Sequence, residues 1–290
     1  MDFLKYSKIY YIFSGSLILL SIIFLILWGF KLGSDFIGGA LLEIEFQEKR
    51  PNIEDLRKKI TTEIKTELTL QEIGERGVIL RAKDISQENH QKIIEIFNKE
   101  GKIIEKKFEM IGPVIGRELK KSTLISLILG IFFITIYIIF AFRKVSRFVP
   151  SSHYGLITLI TLFHDILITC GFFAFLGKFL NLEVNIPFAA ALLTIIGYSV
   201  NDTIVIFDRC RENLMKIRGE LKEILNKSLN ETYTRSFLTS FSLFVVLVAL
   251  YFFGGETISS FVLALIIGTF FGTYSSIFIA ASLLNELHRK

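Results

Sequence analysis

Residues 186–207 read IPFAAALLTIIGYSVNDTIVIF, an apolar stretch of 22 residues in which Asp202 is the only charged side chain. As a helix, this stretch extends about 33 Å at about 1.5 Å per residue, enough to cross the hydrocarbon core of a bilayer. A surface helix of a soluble protein would instead carry a charged face. The stretch therefore predicts a membrane-spanning helix that contains a carboxylate.

The rest of the 290-residue chain repeats this apolar pattern. The composition is 51% apolar and 13% aromatic, and the mean hydropathy of +0.53 is high for a soluble enzyme. Five further apolar runs have spanning length: 9–30, 123–142, 154–176, 236–253 and 258–284. We therefore predict an α-helical polytopic membrane protein with six transmembrane helices. The net charge of +5 then indicates no role in nucleic-acid binding.

Basic residues are distributed unequally between the loops, and this predicts the orientation of the helices. Fourteen of them flank the spans on one side: Lys5, Lys8, Arg143, Lys144, Arg147, Arg209, Arg211, Lys216, Arg218, Lys222, Lys227, Arg235, Arg289 and Lys290. The short loops on the other side, 177–185 and 254–257, contain a single basic residue, Lys178. Because basic residues of short loops stay in the cytoplasm, we expect both termini there.

The first apolar run has an alternative interpretation as a cleaved signal peptide. Its 22 residues exceed the usual length of such a segment, and no A-x-A cleavage site follows. We therefore expect three parts in the chain: an N-terminus and first span (1–30), an extracytoplasmic domain (31–122) and a bundle of the remaining five spans with a cytoplasmic C-terminus (123–290).

The polar segment 31–122 shows the patterns of a folded domain. Strand patterns occupy 40–46, 68–73, 78–82 and 102–110, and helix patterns occupy 53–64 and 86–98, the second capped by Ser86 and ended by Gly101. The order strand, helix, strand, strand, helix, strand predicts a ferredoxin-like α+β domain. The segment contains no cluster of catalytic or metal-ligating side chains, which favours a mechanical or binding module over an enzyme.

Ionisable side chains within the apolar spans are functional candidates, because each costs about 3 kcal/mol or more near the bilayer centre. Asp202 lies about six residues, or roughly 9 Å, from the cytoplasmic end of its span. Arg235 begins the fifth span and is the natural counter-ion. Asn201, Tyr198 and Ser199 extend the polar patch around Asp202, which would hold waters or pass protons.

A polar stripe on the fifth span supports this pairing. Arg235 and Thr239, like Ser236 and Ser240, are four residues apart, and we expect all four to line one inward face. If the two charges separate and rejoin during a cycle, the carboxylate of Asp202 takes up and releases a proton. Each charge moved through the membrane potential is worth about 2.3 kcal/mol per 100 mV.

Each of these candidates also has a structural interpretation. Arg235 would then be only a basic flank of its span, and Asp202 a group that hydrogen-bonds two helices. Asp165, which lies beside His164 near the middle of the third span, is either a further member of the proton relay or half of a packing pair. Residues 208–212, DRCRE, would form a helix end with local salt bridges.

Small residues of the sixth span indicate close packing between helices. Gly268 and Gly272 are four residues apart, and Thr269, Thr273 and Ser276 lie on nearly the same face. We expect another helix to pack against this face.

Several motifs resemble those of the SecF family of bacterial Sec protein-export subunits, part of the resistance-nodulation-division superfamily. Residues 33–39, GSDFIGG, resemble its G-x-D-F-x-G-G signature, and residues 111–119, IGPVIGREL, its V-G-P-x-V-G-x-E-L segment. Residues 197–213, GYSVNDTIVIFDRCREN, are the most specific match. They are followed by a stretch at 235–240 similar to R-S-x-x-T-S. The matched positions include Asp35, Gly38, Gly39, Gly197, Asp208, Arg209, Arg211, Glu212 and Asn213.

The resemblance implies a function and partners. It implies that Asp202 and Arg235 are the intramembrane pair of a machine that uses the proton motive force for late steps of protein export across the inner membrane. It implies neither enzymatic activity nor a cofactor or metal. Six spans are half of the superfamily's twelve-helix arrangement, so we expect a SecD partner. The resemblance also implies the SecYEG channel, YajC and the exported polypeptide as partners.

Two other functions stay open. One is proton-coupled export of small hydrophobic solutes, and the other is a scaffold that stabilises a membrane complex without transport. The coupling ion also stays open, because carboxylates and hydroxyls hold sodium as well as protons. Asp202→Asn separates the pump from the scaffold, since only the pump needs a titratable group.

Overall fold

The computed structural model describes residues 2–64, 68–82, 85–145 and 149–289. Within these residues, six helices are long and apolar enough to cross a membrane, as the sequence predicts. Arg147 and Lys290, two of the basic residues that predict the orientation, lie outside the described residues.

In chain order, the helices are α1 (Ser7–Leu27), α2 (Ser34–Ile37), α3 (Ile53–Glu63), α4 (Gln87–Glu100), α5 (Pro113–Ala141), α6 (Ser151–Phe179), α7 (Ile186–Lys216), α8 (Leu221–Phe253), α9 (Glu256–Tyr274) and α10 (Ala281–Arg289). The strands are β1 (Gly39–Phe46), β2 (Leu68–Ile73), β3 (Gly77–Ala82) and β4 (Ile103–Ile111). A π-helical segment, Ser275–Ala280, joins α9 to α10. Short 3-10 turns occupy Phe3–Tyr6 and Phe142–Val145.

Residue contacts divide the chain into two units, one of Met1–Lys31 with Thr123–Lys290 and one of Leu32–Ser122. In the first unit, α6, α7 and the rod from α9 to α10 are the buried helices. More than half of the apolar window of each is covered, against 17% or less for α1, α5 and α8. The three buried helices therefore form the core that positions intramembrane polar groups.

Helix α7 begins and ends for local reasons. The Asn185 side chain accepts a hydrogen bond from the Phe188 backbone N–H at 3.1 Å, and Pro187 occupies the first turn. The helix runs nine residues beyond the predicted apolar run, to Lys216, and most of these nine residues are polar. The side chains of residues 208–213 consequently lie on a helix that continues past them.

The second unit has the predicted order of strands and helices. Its antiparallel sheet has the strand order β2-β3-β1-β4, and α3 and α4 pack against one face through buried side chains such as Leu42, Leu80 and Phe97. Ser86 caps α4 by accepting a hydrogen bond from the Asn89 N–H at 3.2 Å, and Gly101 ends it, as predicted. The ferredoxin-like classification itself stays a prediction.

The two motif stretches of this unit meet at glycines. Gly38 and Gly39 have φ of 82° and 139°, a conformation that L side chains rarely adopt. A Cβ on Gly116 would lie 3.0 Å from the backbone N of Gly38 and from the carbonyl O of Phe36. The close approach of 111–119 to 33–39 therefore requires glycine. Asp35 belongs to the first of these two stretches and lies in the four-residue helix α2.

Candidate functional site

Asp202 lies buried on α7, where hydroxyl groups from two other helices surround it. Ser240 of α8 donates a hydrogen bond to its Oδ2 at 3.2 Å, and Oγ1 of Thr273 on α9 lies 3.4 Å from the same oxygen. Thr273 Oγ1 and Ser240 Oγ are 2.8 Å apart. The site is thus a carboxylate in a cage of hydroxyls, built where α7, α8 and α9 meet.

Arg235 is not part of this cage. The described residues show no ion pair between Arg235 and Asp202, and Arg235 is exposed in this chain. The prediction that one inward face carries the whole stripe of α8 is wrong for Arg235 and Thr239, while Ser236 and Ser240 are buried. The reason is helical phase, because adjacent positions differ by about 100° and the two four-residue repeats therefore lie on different faces.

Of the other predicted neighbours of Asp202, Tyr198 is connected to it and Asn201 is not. Tyr198 is half-buried, and its hydroxyl donates to Ser240 Oγ at 2.7 Å, so it reaches Asp202 through that serine. Asn201 is exposed, because it lies about 100° around α7 from the buried Asp202. The structure thus brings Tyr198 and Asp202 together and leaves Asn201 and Arg235 on surfaces that this chain does not cover.

A second polar cluster surrounds Asp165 in the middle of α6. Its Oδ1 lies 2.8 Å from His164 Nδ1, and its Oδ2 accepts hydrogen bonds from Ser199 at 2.5 Å and from Ser275 at 2.9 Å. The carboxylate is fully buried. Oγ of Ser14 on α1 lies 3.1 Å from the other ring nitrogen of His164, Nε2. Four helical segments therefore meet at this pair.

The two clusters are adjacent along α7. Ser199 precedes Asp202 by one turn, and its carbonyl oxygen accepts a hydrogen bond from Ser276 at 3.1 Å. Ser276 Oγ also lies 2.8 Å from Thr203 Oγ1. The hydroxyl-bearing residues Ser199, Thr203 and Ser276 therefore connect the surroundings of Asp165 to those of Asp202.

Glycines on α9 allow this approach. A Cβ on Gly268 would overlap the side chain of Ile195 on α7, and one on Gly272 would lie 3.2 Å from Ser199 Cβ and 3.5 Å from Asp165 Oδ2. Larger residues at either position would push α9 away from α7 and open both clusters.

Sequence reasoning missed Ser14 and Ser275. The buried residues of α1 are Ser7, Ser14 and Ser21, one every seven residues on an otherwise apolar helix. The seven-residue spacing of these serines could have predicted that they share one inward-facing side of α1. Ser275 had no such signal, because the π-helical turn changes the helical phase.

The residues 208–213 form a charged cluster at the end of α7. Arg209 Nη1 lies 2.8 Å from Glu212, and Arg211 Nη2 lies 2.5 Å from Asp208. The cluster also reaches α8, because Arg209 Nε lies 3.2 Å from Oε2 of Glu231. Asn213 Nδ2 donates to the same oxygen at 2.9 Å. Local salt bridges were predicted here, and the link to α8 was not.

No group of three or more His, Cys, Asp or Glu side chains is arranged to hold a metal ion in the part of the chain that the structure describes. The features above define a class of protein: a multi-pass membrane protein with carboxylates buried among hydroxyls inside its helix bundle, and one α+β domain between its first two spans.

The family model for the C-terminal part of the protein export membrane proteins SecD and SecF matches residues 91–290. The chain is 41% identical to the protein translocase subunit SecF of Thermobaculum terrenum, over 100% of this chain and 95% of that protein. It is 35% identical to SecF of Haemophilus influenzae, over 99% and 86% of the two chains. The chain therefore belongs to the SecD/SecF family of protein export membrane proteins, and the motif resemblance is confirmed.

Solved structures agree with this assignment. The chain superimposes on SecDF of Thermus thermophilus, a translocon-associated membrane protein, with a TM-score of 0.84 and 29% identity. It superimposes on SecDF in its super-membrane-facing form with a TM-score of 0.69 and 30% identity. All of this chain is covered in both comparisons, but it spans only 39% of either SecDF chain.

Proposed function

We propose that this chain is a SecF-type subunit of the Sec translocase, which acts with SecD and uses the proton motive force to promote protein export across the bacterial inner membrane. The observation that carries the proposal is the Asp202 carboxylate, buried among hydroxyls with no described cation in ion-pair distance. Protonation removes the cost of a charge at this depth, so proton binding changes the energy of the surrounding helix packing.

The hydroxyl cage suits a group that gains and loses a proton. Hydroxyls both donate and accept, so Ser240 and Thr273 can serve the ionised and the protonated carboxyl group alike. Their distances to Oδ2, 3.2 and 3.4 Å, are longer than those of charge-assisted hydrogen bonds. The ionised form is therefore only weakly stabilised here, which supports a site that releases its charge during a cycle.

Exposed polar residues on the spanning helices support a SecD partner. Thr194 and Asn201, with Gly197 between them, follow one face of α7, and Arg235 and Thr239 follow one face of α8, all exposed in this chain. Polar groups that face lipid are costly, so a protein surface is the favoured neighbour. We place SecD on these faces and Arg235 at that interface, from which its guanidinium approaches the intramembrane carboxylates when the subunits move.

The remaining elements of the proposal concern orientation and the wider complex. The cluster at 208–213 and the basic residues of the connection to α8 support a cytoplasmic location of both termini, with unit Leu32–Ser122 outside. In that place the unit contacts the exported polypeptide or a partner. The SecYEG channel and YajC are the further partners, and the chain acts as a non-enzymatic subunit.

Asp202→Asn tests the proposal in membranes that contain this chain and SecD. With 100 mV imposed, loss of one transported charge removes about 2.3 kcal/mol of driving energy, or about 50-fold in rate. Gradient-driven export should therefore fall by about that factor. The matched control is Asp208→Asn, a carboxylate on the same helix that pairs with Arg211 at its exposed end. Unchanged export in Asp202→Asn would overturn the proposal.

One observation favours export of a small solute instead. An apolar cavity of about 370 Å³ is lined by aromatic side chains of α8 and α9, including Phe237, Phe241 and Phe270. Ser240 and Thr273 of the Asp202 cage also line it. Under this alternative, Phe241→Ala alters resistance of cells to hydrophobic compounds and leaves secretion at its normal level. If the chain serves protein export, its deletion should impair protein secretion before it changes resistance to hydrophobic compounds.

A further inference from the structure

The His164–Asp165 pair has no role in the function proposed above, although its surroundings are specific. Two hydroxyls, those of Ser199 and Ser275, donate to Oδ2 of Asp165, and Nδ1 of His164 lies 2.8 Å from Oδ1. An ionised carboxylate only accepts hydrogen bonds, whereas a protonated carboxyl must also donate one. This arrangement is therefore that of an ionised Asp165.

The second nitrogen of His164 is also placed as a donor. The Tyr274 hydroxyl donates to the carbonyl oxygen of Tyr10 at 3.2 Å, and a carbonyl can only accept. Tyr274 therefore accepts the hydrogen bond of Ser14, whose Oγ lies 3.4 Å away. This leaves the Ser14 oxygen as an acceptor for Nε2–H of His164 at 3.1 Å. Both ring nitrogens are then placed to donate, as they do in an imidazolium.

Each charge is the counter-ion of the other. From α1 the pair meets the hydroxyl of Ser14, from α7 that of Ser199, and from α9 and the π-helical segment those of Tyr274 and Ser275. These groups are neutral at neutral pH. The pair as a whole therefore carries one proton and no net charge, which is the state that a low-dielectric interior permits.

The position of that proton affects two other elements. If it moves from Nδ1 of His164 to Oδ1 of Asp165, the hydrogen bonds to Oδ2 lose their charge assistance and weaken to about half. Ser275 has an alternative acceptor in its own helix, the Gly272 carbonyl oxygen at 3.1 Å. Ser199 precedes Asp202 by one turn of α7. The transfer therefore loosens the π-helical segment and the part of α7 that carries Asp202.

We propose that His164 and Asp165 act as one proton-binding unit, a second site beside Asp202, whose proton position sets how tightly Ser199 on α7 and Ser275 in the π-helical segment are held. Proton transfer within the pair breaks the Nδ1–H bond and forms an Oδ1–H bond, so no other reactant is needed. The inference deepens the proposed function. Only the test that measures the pH profile of export rests on that function.

The first test observes the proton directly and does not depend on export. The full chain, labelled with ¹⁵N-histidine and purified with SecD in lipid bilayers, contains four histidines, and His164→Gln identifies the signal of His164. At neutral pH we expect both ring nitrogens of His164 to be protonated, and only one in Asp165→Asn. A neutral His164 ring in the wild-type chain would overturn the inference.

The second test separates a proton-binding unit from a packing pair. His164→Gln and Asp165→Asn each leave one buried group without its partner, so the amount of assembled complex should fall, while the double variant should restore it. With assembly restored, the pH profile of gradient-driven export should differ from that of the wild type. A double variant whose profile coincides with the wild type shows packing only.

Ser275→Ala provides a milder variant, because it removes one donor to Asp165 and keeps the ion pair. We expect assembly at the wild-type level and a changed pH profile, and an unchanged profile counts against the inference. Failure of the proposed function looks different: Asp202→Asn then leaves export unchanged, while the protonated His164 ring is still observed.

Discussion

The hydroxyl of Ser240 joins α8 to Asp202 of α7 across 3.2 Å. The same oxygen accepts the hydrogen bond of Tyr198 at 2.7 Å, so the proton arrangement around Ser240 depends on whether Asp202 is ionised. A single side chain thus links a change of charge on one helix to the position of the next.

Ser240→Ala should weaken gradient-driven export by about tenfold. The change leaves the Tyr198 hydroxyl without its acceptor and removes the nearer of the two hydroxyl donors to Asp202, a penalty of about 1–3 kcal/mol for buried groups. Export into membrane vesicles under an imposed gradient measures the effect. Ser242→Ala is the control, because that exposed hydroxyl donates to the Thr239 carbonyl oxygen of its own helix. Equal activity of both variants would show that the cage is dispensable.

Gly268→Ala should lower the free energy of unfolding by about 1–3 kcal/mol, because the added methyl group overlaps Ile195 in a packed helix contact. Thermal unfolding of the purified protein measures this change. Ile195→Ala in the same chain should recover most of the loss by making room. Gly15→Ala, where a Cβ would meet no atom within 4 Å, should have little effect. Without recovery in the double variant, the overlap is not the cause.

Glu231→Ala should destabilise the junction of α7 and α8 by about 1 kcal/mol. Its carboxylate binds both Arg209 and Asn213, but the side chains of Arg209 and Glu231 are 41% and 33% exposed, so solvent screening limits the loss. The midpoint of thermal unfolding is the measurement. Lys216→Ala, a largely exposed partner at 3.8 Å from Glu212, should leave the midpoint unchanged. A larger shift for Lys216 than for Glu231 would contradict the assignment.

In the unit Leu32–Ser122, one ion pair makes the charge of a carboxylate depend on a neighbouring lysine. The hydrogen bond and charge of Lys106 hold the pKa of Glu45 below its ordinary value. A lowered pKa in the folded state means that the contribution to stability is full above the unfolded pKa and disappears as the pH falls through the folded one. Lys106→Ala should therefore raise the pKa of Glu45, as an NMR titration measures. Lys107 pairs with Glu109 instead, so Lys107→Ala should leave the pKa of Glu45 unchanged.

The sequence predicted those features that depend on runs and periods. Six apolar runs identified the spanning helices, and alternation with helix caps identified the strands and helices of the unit Leu32–Ser122. The four-residue helix α2 was missed, since a single turn leaves no periodic pattern. The extension of α7 to Lys216 was missed because hydropathy marks only the part of a helix that lies in lipid.

The sequence predicted the central residue of the candidate site, Asp202, but not which side chains surround it. Asp202 stood out because a charge in an apolar run is costly. Its neighbours Ser240 and Thr273 come from two other helices, and only the three-dimensional packing decides which hydroxyls face the carboxylate. Arg235 was predicted to face Asp202 and does not. One residue of difference in the sequence turns a side chain by about 100° around the helix, so Arg235 is exposed while Ser236 is buried.

The serines of α1 have a consequence for how this helix can change between related proteins. Ser7 meets Ser282, Ser14 meets His164, and Ser21 lies against Gly171, while most other positions of the helix face outward. Small side chains at these three positions therefore let α1 dock closely. We expect substitutions to be tolerated more readily at the outward-facing apolar positions of α1 than at these three serines.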